Sequence, residues 1–247
     1  MKSQFSILCL LVNILLISCE QAPQYYEVSG RLHTPYHIKF EHTKPLDKEI
    51  DEQLKYFYHL FNAFDSTSVI SQVNQNRDIR VDTLFQKVFK KALEVSTETN
   101  GAYDVTCAPL INLWGFGFSR KDSVTPAHID SVRQFIGFQK VRLEGDRIVK
   151  DDPRLMMNFS SLADGTVCDM IAQMLEKKGV RNYLVEFGGE MRVKGVNPMG
   201  VDWRLGIAKP IDDADGMNQE WEQVVSFPRP LGMATSGNYR NFYIKDG

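Results

Sequence analysis

The order in which strand-like and helix-like stretches follow one another constrains this chain most. Two period-two runs of β-branched and aromatic residues, 25–29 and 36–40, flank a turn containing Gly30 and predict paired strands. Two long stretches with helical spacing come next. Over 46–64, Ile50, Leu54, Phe57, Leu60 and Phe61 share one face. Over 84–99, Val88, Ala92 and Val95 point inward, and Asn100-Gly101 closes the helix. A short helix over 126–136 starts with a proline in its first turn. Strands at 140–143 and 147–149 flank Glu144-Gly145-Asp146 as a hairpin. A strand at 155–159 runs into Ser160-Ser161, and a helix over 164–178 ends at Gly179. Strands follow at 183–187, 190–196, 203–207, 223–227, 231–234 and 241–245, with a polar, acidic surface loop over 211–221. Helices and strands are mixed without regular βα alternation. The fold class is therefore α+β, mixed sheets flanked by helices, with two packed α/β halves as the other arrangement.

Composition narrows the function classes. The 247 residues carry 29 Lys+Arg against 31 Asp+Glu, a net charge of −2, which argues against a nucleic-acid binder with its basic face. Four cysteines are too few for a disulfide scaffold, and neither a Cys-x-x-Cys nor a zinc spacing occurs. Fifteen Phe, nine Tyr and three Trp are enough to fill a core, which excludes a disordered chain.

The first segment reads as an address. Lys2 precedes a 14-residue uncharged run, Phe5 to Ser18. That is short of the about 20 apolar residues of a membrane span and matches a signal-peptide core. The run ends in Leu16-Ile17-Ser18-Cys19, which resembles a bacterial lipobox with Cys19 as the lipidated residue. A plain signal peptide is the competing reading. The domain reading is residues 1–18 as lipoprotein signal peptide, 19–27 as lipidated tether and 28–247 as the functional domain. Removing residues 1–18 leaves a net charge of −3. A lipid anchor holds a domain at a membrane surface without spanning it. The expected location is the extracytoplasmic, periplasmic side of a bacterial membrane, and Glu20 after Cys19 leans towards the outer membrane. Cys107 and Cys168 either pair in that oxidising compartment or stay as two small buried thiols.

Four stretches carry candidate chemistry. Residues 100–117 form a loop between helices that holds Asp104, Thr106, Asn112 and Trp114 close together. Such a loop can hold a planar ring and bond its edges, or can be a structural turn around a core tryptophan. Residues 158–169 are a strand-to-helix junction, with Ser161 and Asp164 spaced as a capping box. Helix N-termini bind phosphate, and the Asp164 charge opposes that unless Mg²⁺ bridges. Glu186-Phe-Gly-Gly-Glu190 joins two strands, as a ligand approach or a plain hairpin. In residues 234–240, Ser236 and Arg240 either meet a phosphate or lie on a surface turn.

Taken in this order, the stretches resemble the FAD:protein FMN transferases, the ApbE family of bacterial lipoproteins, over about residues 28–246. Gly101 to Gly117 is close to the family's GAFDxTxxPLxNLWGFG. Phe64, Asp65, Ser68, Ile70 and Asn74 match its StYxxxSxIxxxN, residues 186–190 its nxGGe, and residues 235–241 its TSGxYRN. The resemblance implies an enzyme that uses Mg²⁺ to split FAD and moves the FMN half onto a Thr or Ser hydroxyl of an acceptor flavoprotein, releasing AMP. The acceptors it implies are subunits of a membrane redox complex. It places FAD contacts at Leu32, Phe64, Ala102, Tyr103, Asp104, Ser160 and Thr166, and a metal ligand at the backbone carbonyl of Ala163.

This sequence departs from the family at two places. Its Met-Gly-Thr is Leu32-His33-Thr34 here, and its AKGY is Ala163-Asp164-Gly165-Thr166. The family continues past the position of Gly247 with HxxDPxTG, an Asp and a Thr that complete the metal site and supply an acid–base histidine. The expectation is thus a fragment, with its catalytic residues beyond Gly247 and activity impaired in the 247-residue form. The competing readings are an FAD-binding lipoprotein without transferase activity and a solute-binding lipoprotein.

Overall fold

The computed structural model describes residues 22–117, 124–210, 220–226 and 228–237. The signal segment, Cys19, the strand expected at 241–245, nearly all of the acidic 211–221 stretch and Arg240 lie outside them. In chain order the described elements are β1 (Gln24–Arg31), β2 (Pro35–His42), α1 (Asp47–Phe61), α2 (Val69–Asn74), α3 (Thr83–Glu98), α4 (Ala108–Leu113), α5 (Pro126–Arg133), β3 (Val141–Glu144), β4 (Arg147–Lys150), α6 (Ser160–Lys177), β5 (Tyr183–Phe187), β6 (Glu190–Lys194), β7 (Arg204–Ala208), β8 (Trp221–Ser226) and β9 (Leu231–Met233). The main sheet has the order β1-β2-β5-β6-β9, every neighbour antiparallel, and β3-β4 and β7-β8 form separate hairpins. The chain is α+β, as its pattern of elements predicts. Strand β1 begins at Gln24 and takes up the end of the stretch read as tether.

Period-two alternation divides the sheet between two cores. Tyr183, Val185 and Phe187 of β5 face the helices, whereas Leu184 joins Val193, Trp203 and Leu205 on the opposite face. On the helical side, Ile50, Leu54 and Phe57 of α1, Phe85, Phe89 and Ala92 of α3, and Ile171 and Leu175 of α6 close the main core. Val95, expected inward, is only half-buried; the α3 stripe runs instead through Phe85, Val88, Phe89, Ala92 and Ser96. Helix α3 ends in a Schellman arrangement with Asn100 at φ 52°: the Asn100 amide donates to Thr97 O and the Gly101 amide to Ser96 O.

Three expectations need correction. Residues 155–159 are not a strand, apart from a lone bridge between Met156 and Cys107. Leu155, Met157 and Phe159 do alternate into the core, but among the described residues no strand lies alongside. Instead Asn74 imitates one: its Nδ2 donates to Met157 O at 2.9 Å, and its Oδ1 accepts from Met157 N at 2.8 Å. Helix α6 starts at Ser160, four residues before its expected start, so the Ser161–Asp164 capping box does not form. Asn158 Oδ1 accepts from the Ser160 amide at 2.7 Å and serves that end. The stretch 100–117 is not all loop either, since Ala108–Leu113 makes a short helix with proline near its start.

Candidate functional site

The site is built from the residues that hold its wall. Asp104 stands at the turn after α3. Its Oδ1 accepts from the Thr106 amide at 2.8 Å and from Thr106 Oγ1 at 2.6 Å, and its Oδ2 accepts from the Phe138 amide at 3.0 Å. Thr106 Oγ1 in turn accepts from the Gly137 amide at 2.8 Å. One carboxylate thus ties residues 104–106 to 137–138. A carboxylate has about four lone-pair directions, so three of them are in use and little is left for a ligand. The resemblance implies an FAD contact at Asp104; the carboxylate lines a cavity and ties its wall, with one lone-pair direction left towards a ligand.

That wall encloses a cavity of about 750 Å³, lined by Ala102, Tyr103, Cys107, Ile111, Arg133 and Ser160 among others. Such a volume is in the range of small-molecule and cofactor sites. The Tyr103 hydroxyl is shut off from water, with no partner in hydrogen-bond geometry among the described residues. Burial pushes its pKa up, while the Ser161 side chain beside it pulls the other way. Burial also raises the Cys107 thiol, with the Asp104 charge adding to it. Cys107 and Cys168 are both free thiols. At the end of residues 100–117, the Asn112 side chain occupies the space a Cβ at Gly117 would need, which accounts for a glycine there.

A second, smaller cavity of about 190 Å³ adjoins the first through Ser160. His33, Thr34, Phe64, Ala163 and Asp164 line it. Phe64, in the lining of this cavity, is 65% exposed, and Leu32, next to His33 in the chain, is 44% exposed. The His33 ring lies 5.0 Å from that of Phe64 and 5.9 Å from that of Tyr58, and its Nε2 is 3.1 Å from Asn62 Oδ1. The Thr34 hydroxyl is buried with no partner among the described residues. Gly188, at φ 65°, sits beside it in backbone that favours glycine: a Cβ there would lie 2.5 Å from Asp164 Oδ2 and 3.4 Å from Thr34 Cβ. Burial raises the Asp164 carboxyl above the usual carboxylate range, with His33 pulling it back. Burial likewise raises Glu190, and the Asp164 charge adds to that.

Ala102, Tyr103, Asp104 and Ser160 line the larger cavity and Phe64, Ser160 and Ala163 the smaller, whereas Leu32 is in neither lining and only adjoins His33 in the chain. Thr166 does not join them. It faces a separate groove with Leu84, Lys87 and Met170, and its hydroxyl donates to Leu162 O at 2.6 Å. Three residues of the 64–74 pattern support the scaffold, and Ile70 also lines the smaller cavity. Ser68 caps α2 by accepting from the Ser71 amide at 3.2 Å, Ile70 is buried, and Asn74 holds residue 157. Arg133 is the cavity residue that sequence reasoning missed, because it reads as an ordinary cation in the last turn of a helix.

Among the described residues no three His, Cys, Asp or Glu side chains converge as metal ligands. Ala163 lies in the first turn of α6, where a carbonyl's helical partner is the amide four residues on. One such carbonyl and the half-buried Asp164 carboxylate fall short of the octahedral oxygen set Mg²⁺ requires, so the described residues do not hold it by themselves.

The profile of the ApbE family matches residues 32–247. The FAD:protein FMN transferase of Vibrio cholerae is 35% identical over 95% of this chain and 72% of its own length. The FAD:protein FMN transferase of Haemophilus influenzae is 30% identical over 98% and 74%. The solved structure of the flavin transferase ApbE from Vibrio cholerae superposes with a TM-score of 0.78 at 33% identity, covering 91% of this chain and 75% of that one. The apo flavinyl transferase ApbE from Pseudomonas stutzeri gives 0.74 at 27% identity, covering 91% and 73%.

Proposed function

Because the chain belongs to the ApbE family of flavin transferases, we propose that it transfers the FMN half of FAD onto a Thr or Ser hydroxyl of an acceptor flavoprotein and releases AMP. The observation that carries this reading is the pair of cavities that share Ser160 at the first turn of α6. The larger is sized for a ring system, and the smaller lies beside the Ser160 helix start. In the proposed arrangement the flavin lies in the larger cavity beside Tyr103 and Ala102. Phe64 and Leu32 cover its exposed part. The pyrophosphate lies beside the Ser161 amide, since the Ser160 amide already donates to Asn158 Oδ1, at a helix start that favours negative charge. Arg133 reaches the same cavity and supplies a cation to the phosphates.

The transfer itself is a displacement at phosphorus. The acceptor oxygen bonds to the FMN phosphorus, the bond to the AMP oxygen breaks, and the acceptor proton leaves to a base. Positioning and electrostatics supply most of the rate in such transfers. The proposal includes dependence on Mg²⁺, a hard cation that neutralises pyrophosphate charge when bound. It also includes a lipid on Cys19, an extracytoplasmic location, and acceptors in a membrane redox complex. The test is to incubate the chain with FAD, Mg²⁺ and a Thr-bearing acceptor domain and to weigh the acceptor. An FMN mass gain that EDTA abolishes supports the reading. FAD binding without any gain would leave a flavin-holding lipoprotein, the alternative.

A further inference from the structure

The main sheet has two ends, and they differ in kind. In the paired register, Arg31, Pro35, Phe187 and Glu190 stand at one end, and Gln24, His42, Tyr183 and Lys194 at the other. The first end carries the turn through Thr34, the Gly188 turn and Asp164, and so the candidate site. The second end receives the chain from the N-terminus at Gln24. Strand β1 is eight residues long, which separates the two ends by about 24 Å.

At the N-terminal end the structure presents an apolar turn. Pro198, Met199, Gly200 and Val201 are all exposed, Met199 by 79% and Val201 by 51%. The turn is rigidly held. Asn197, only 8% exposed, accepts at Oδ1 from the Met199 amide at 2.9 Å, and the Asn197 amide donates to Val201 O at 2.8 Å. Tyr25, the second residue of β1, donates its hydroxyl to Val196 O at 2.5 Å and packs edge-on against Trp203. The turn is therefore tied to the point where the chain enters the sheet. Single exposed apolar residues are ordinary, but a braced run of four uncharged ones at the tether end is a surface suited to something apolar. Arg181 is exposed, has no ion pair among the described residues, and its backbone lies against Gly195 beside the turn.

We propose that the Pro198–Val201 turn rests on the lipid bilayer, with Arg181 at the anionic headgroups, so that the candidate site faces away from the membrane. This rests on the reading of Cys19 as lipidated. The five residue steps from Cys19 to Gln24 span at most about 18 Å even when fully extended. A lipid on Cys19 therefore holds the N-terminal end of the sheet at the bilayer, and the Met199 turn is the apolar surface tied to that end. The site then stands about 24 Å further out. Acceptor hydroxyls are served at that height, by proteins whose flavin-bearing domain rises above the bilayer and not by segments lying on it.

The test uses the full chain, lipidated in cells and reconstituted in phosphatidylethanolamine–phosphatidylglycerol vesicles. A photoreactive benzoylphenylalanine replaces Met199, Val201 or Leu32 in separate preparations, and Cys19 lipidation is read by mass in each. Lipid adducts about tenfold more abundant at 199 and 201 than at 32 are expected for a bilayer contact. Lipidated Cys19 with adducts equal at all three, or greater at 32, overturns the orientation alone. Adducts to protein in place of lipid at 199 and 201 overturn it in favour of a protein partner. Absence of lipid on Cys19 removes the anchor reading and the orientation with it.

Discussion

The helical core and the wall of the large cavity lie side by side and are held together in different ways. In the core, Phe61, Phe85 and Phe159 pack as a ring cluster: Phe61 and Phe85 stack at 5.5 Å, and Phe159 meets Phe85 edge-on at 5.4 Å. Nothing there depends on a directed bond. In the wall, Asp104, Thr106, Asn74 and Asn158 hold backbone amides and carbonyls that belong to no sheet ladder. Buried area stabilises the first, and satisfied polar groups define the second. The core can therefore tolerate shape-preserving exchanges that the wall cannot. Because Phe159 directly precedes α6, the core also fixes where the Ser160 turn stands.

The largest effect is expected from Phe85→Ala. Phe85 is fully buried between two rings, and the deletion should cost about 3–5 kcal/mol. Urea unfolding measures this. Flavin affinity should fall as well, because Phe159 loses its support. A loss under 1 kcal/mol would show that the ring cluster relaxes freely and that core and wall are not linked through Phe159.

Asp104→Asn should separate the two regions. The amide turns a donor towards either the Thr106 or the Phe138 amide, leaving a donor facing a donor at a cost of about 1–3 kcal/mol. Global unfolding should shift little more than that, whereas FAD binding should weaken by about tenfold or more, because residues 137–138 are released from the cavity wall. Unchanged FAD affinity in a folded variant would show that Asp104 does not shape the site.

The same contrast explains what was legible in the sequence. Helices α1 and α3 and the sheet strands were readable because burial imposes a period, and Ile50, Leu54, Phe57 or Tyr183 and Val185 display it. Residues 155–159 displayed a period too, yet their partner is the Asn74 side chain, and period says nothing of what pairs with a strand-like segment. The start of α6 was misplaced because a capping-box spacing at Ser161 and Asp164 outweighed Asn158, which does the work from two residues before the helix. The gathering of Phe64, Tyr103 and Ser160 was legible only through family resemblance, since separate turns after α1 and α3 bring Phe64 and Tyr103 to the start of α6. Thr166 shows the limit of that transfer. Helical geometry turns position 166 towards α3, whatever the equivalent residue does in a relative carrying a larger side chain.

Asp164 gives a smaller, pH-dependent effect. Burial raises its carboxyl, and that of Glu190 beside it, so the folded state holds protons that the unfolded state has released. Stability contributed by these groups is complete below the unfolded carboxylate pKa of about 4 and is lost as pH rises through the folded values. Asp164→Asn removes one of the two charges. Its melting temperature should exceed that of the parent at pH 7 and match it at pH 4. A parent that becomes more stable between pH 4 and 7 relative to the variant would mean that the Asp164 charge is compensated in the fold.

Thr166→Val should have the smallest effect and bears directly on where the site ends. The substitution keeps the shape of the side chain and removes a hydroxyl that donates to Leu162 O within its own helix. Such a back-bond adds little to a helix, so stability should change by no more than about 0.5 kcal/mol. Because the groove lined by Thr166 is separate from the cavities at Ser160, FAD affinity should be unchanged. Flavin transfer with the full acceptor is the more informative readout. If binding holds and transfer falls, the Thr166 groove, with Lys87 at its edge and Met170 in its lining, belongs to acceptor recognition. If FAD binding itself falls, the side chain reaches the flavin by a helix movement at 160–166, and the boundary drawn between the two faces of α6 is wrong.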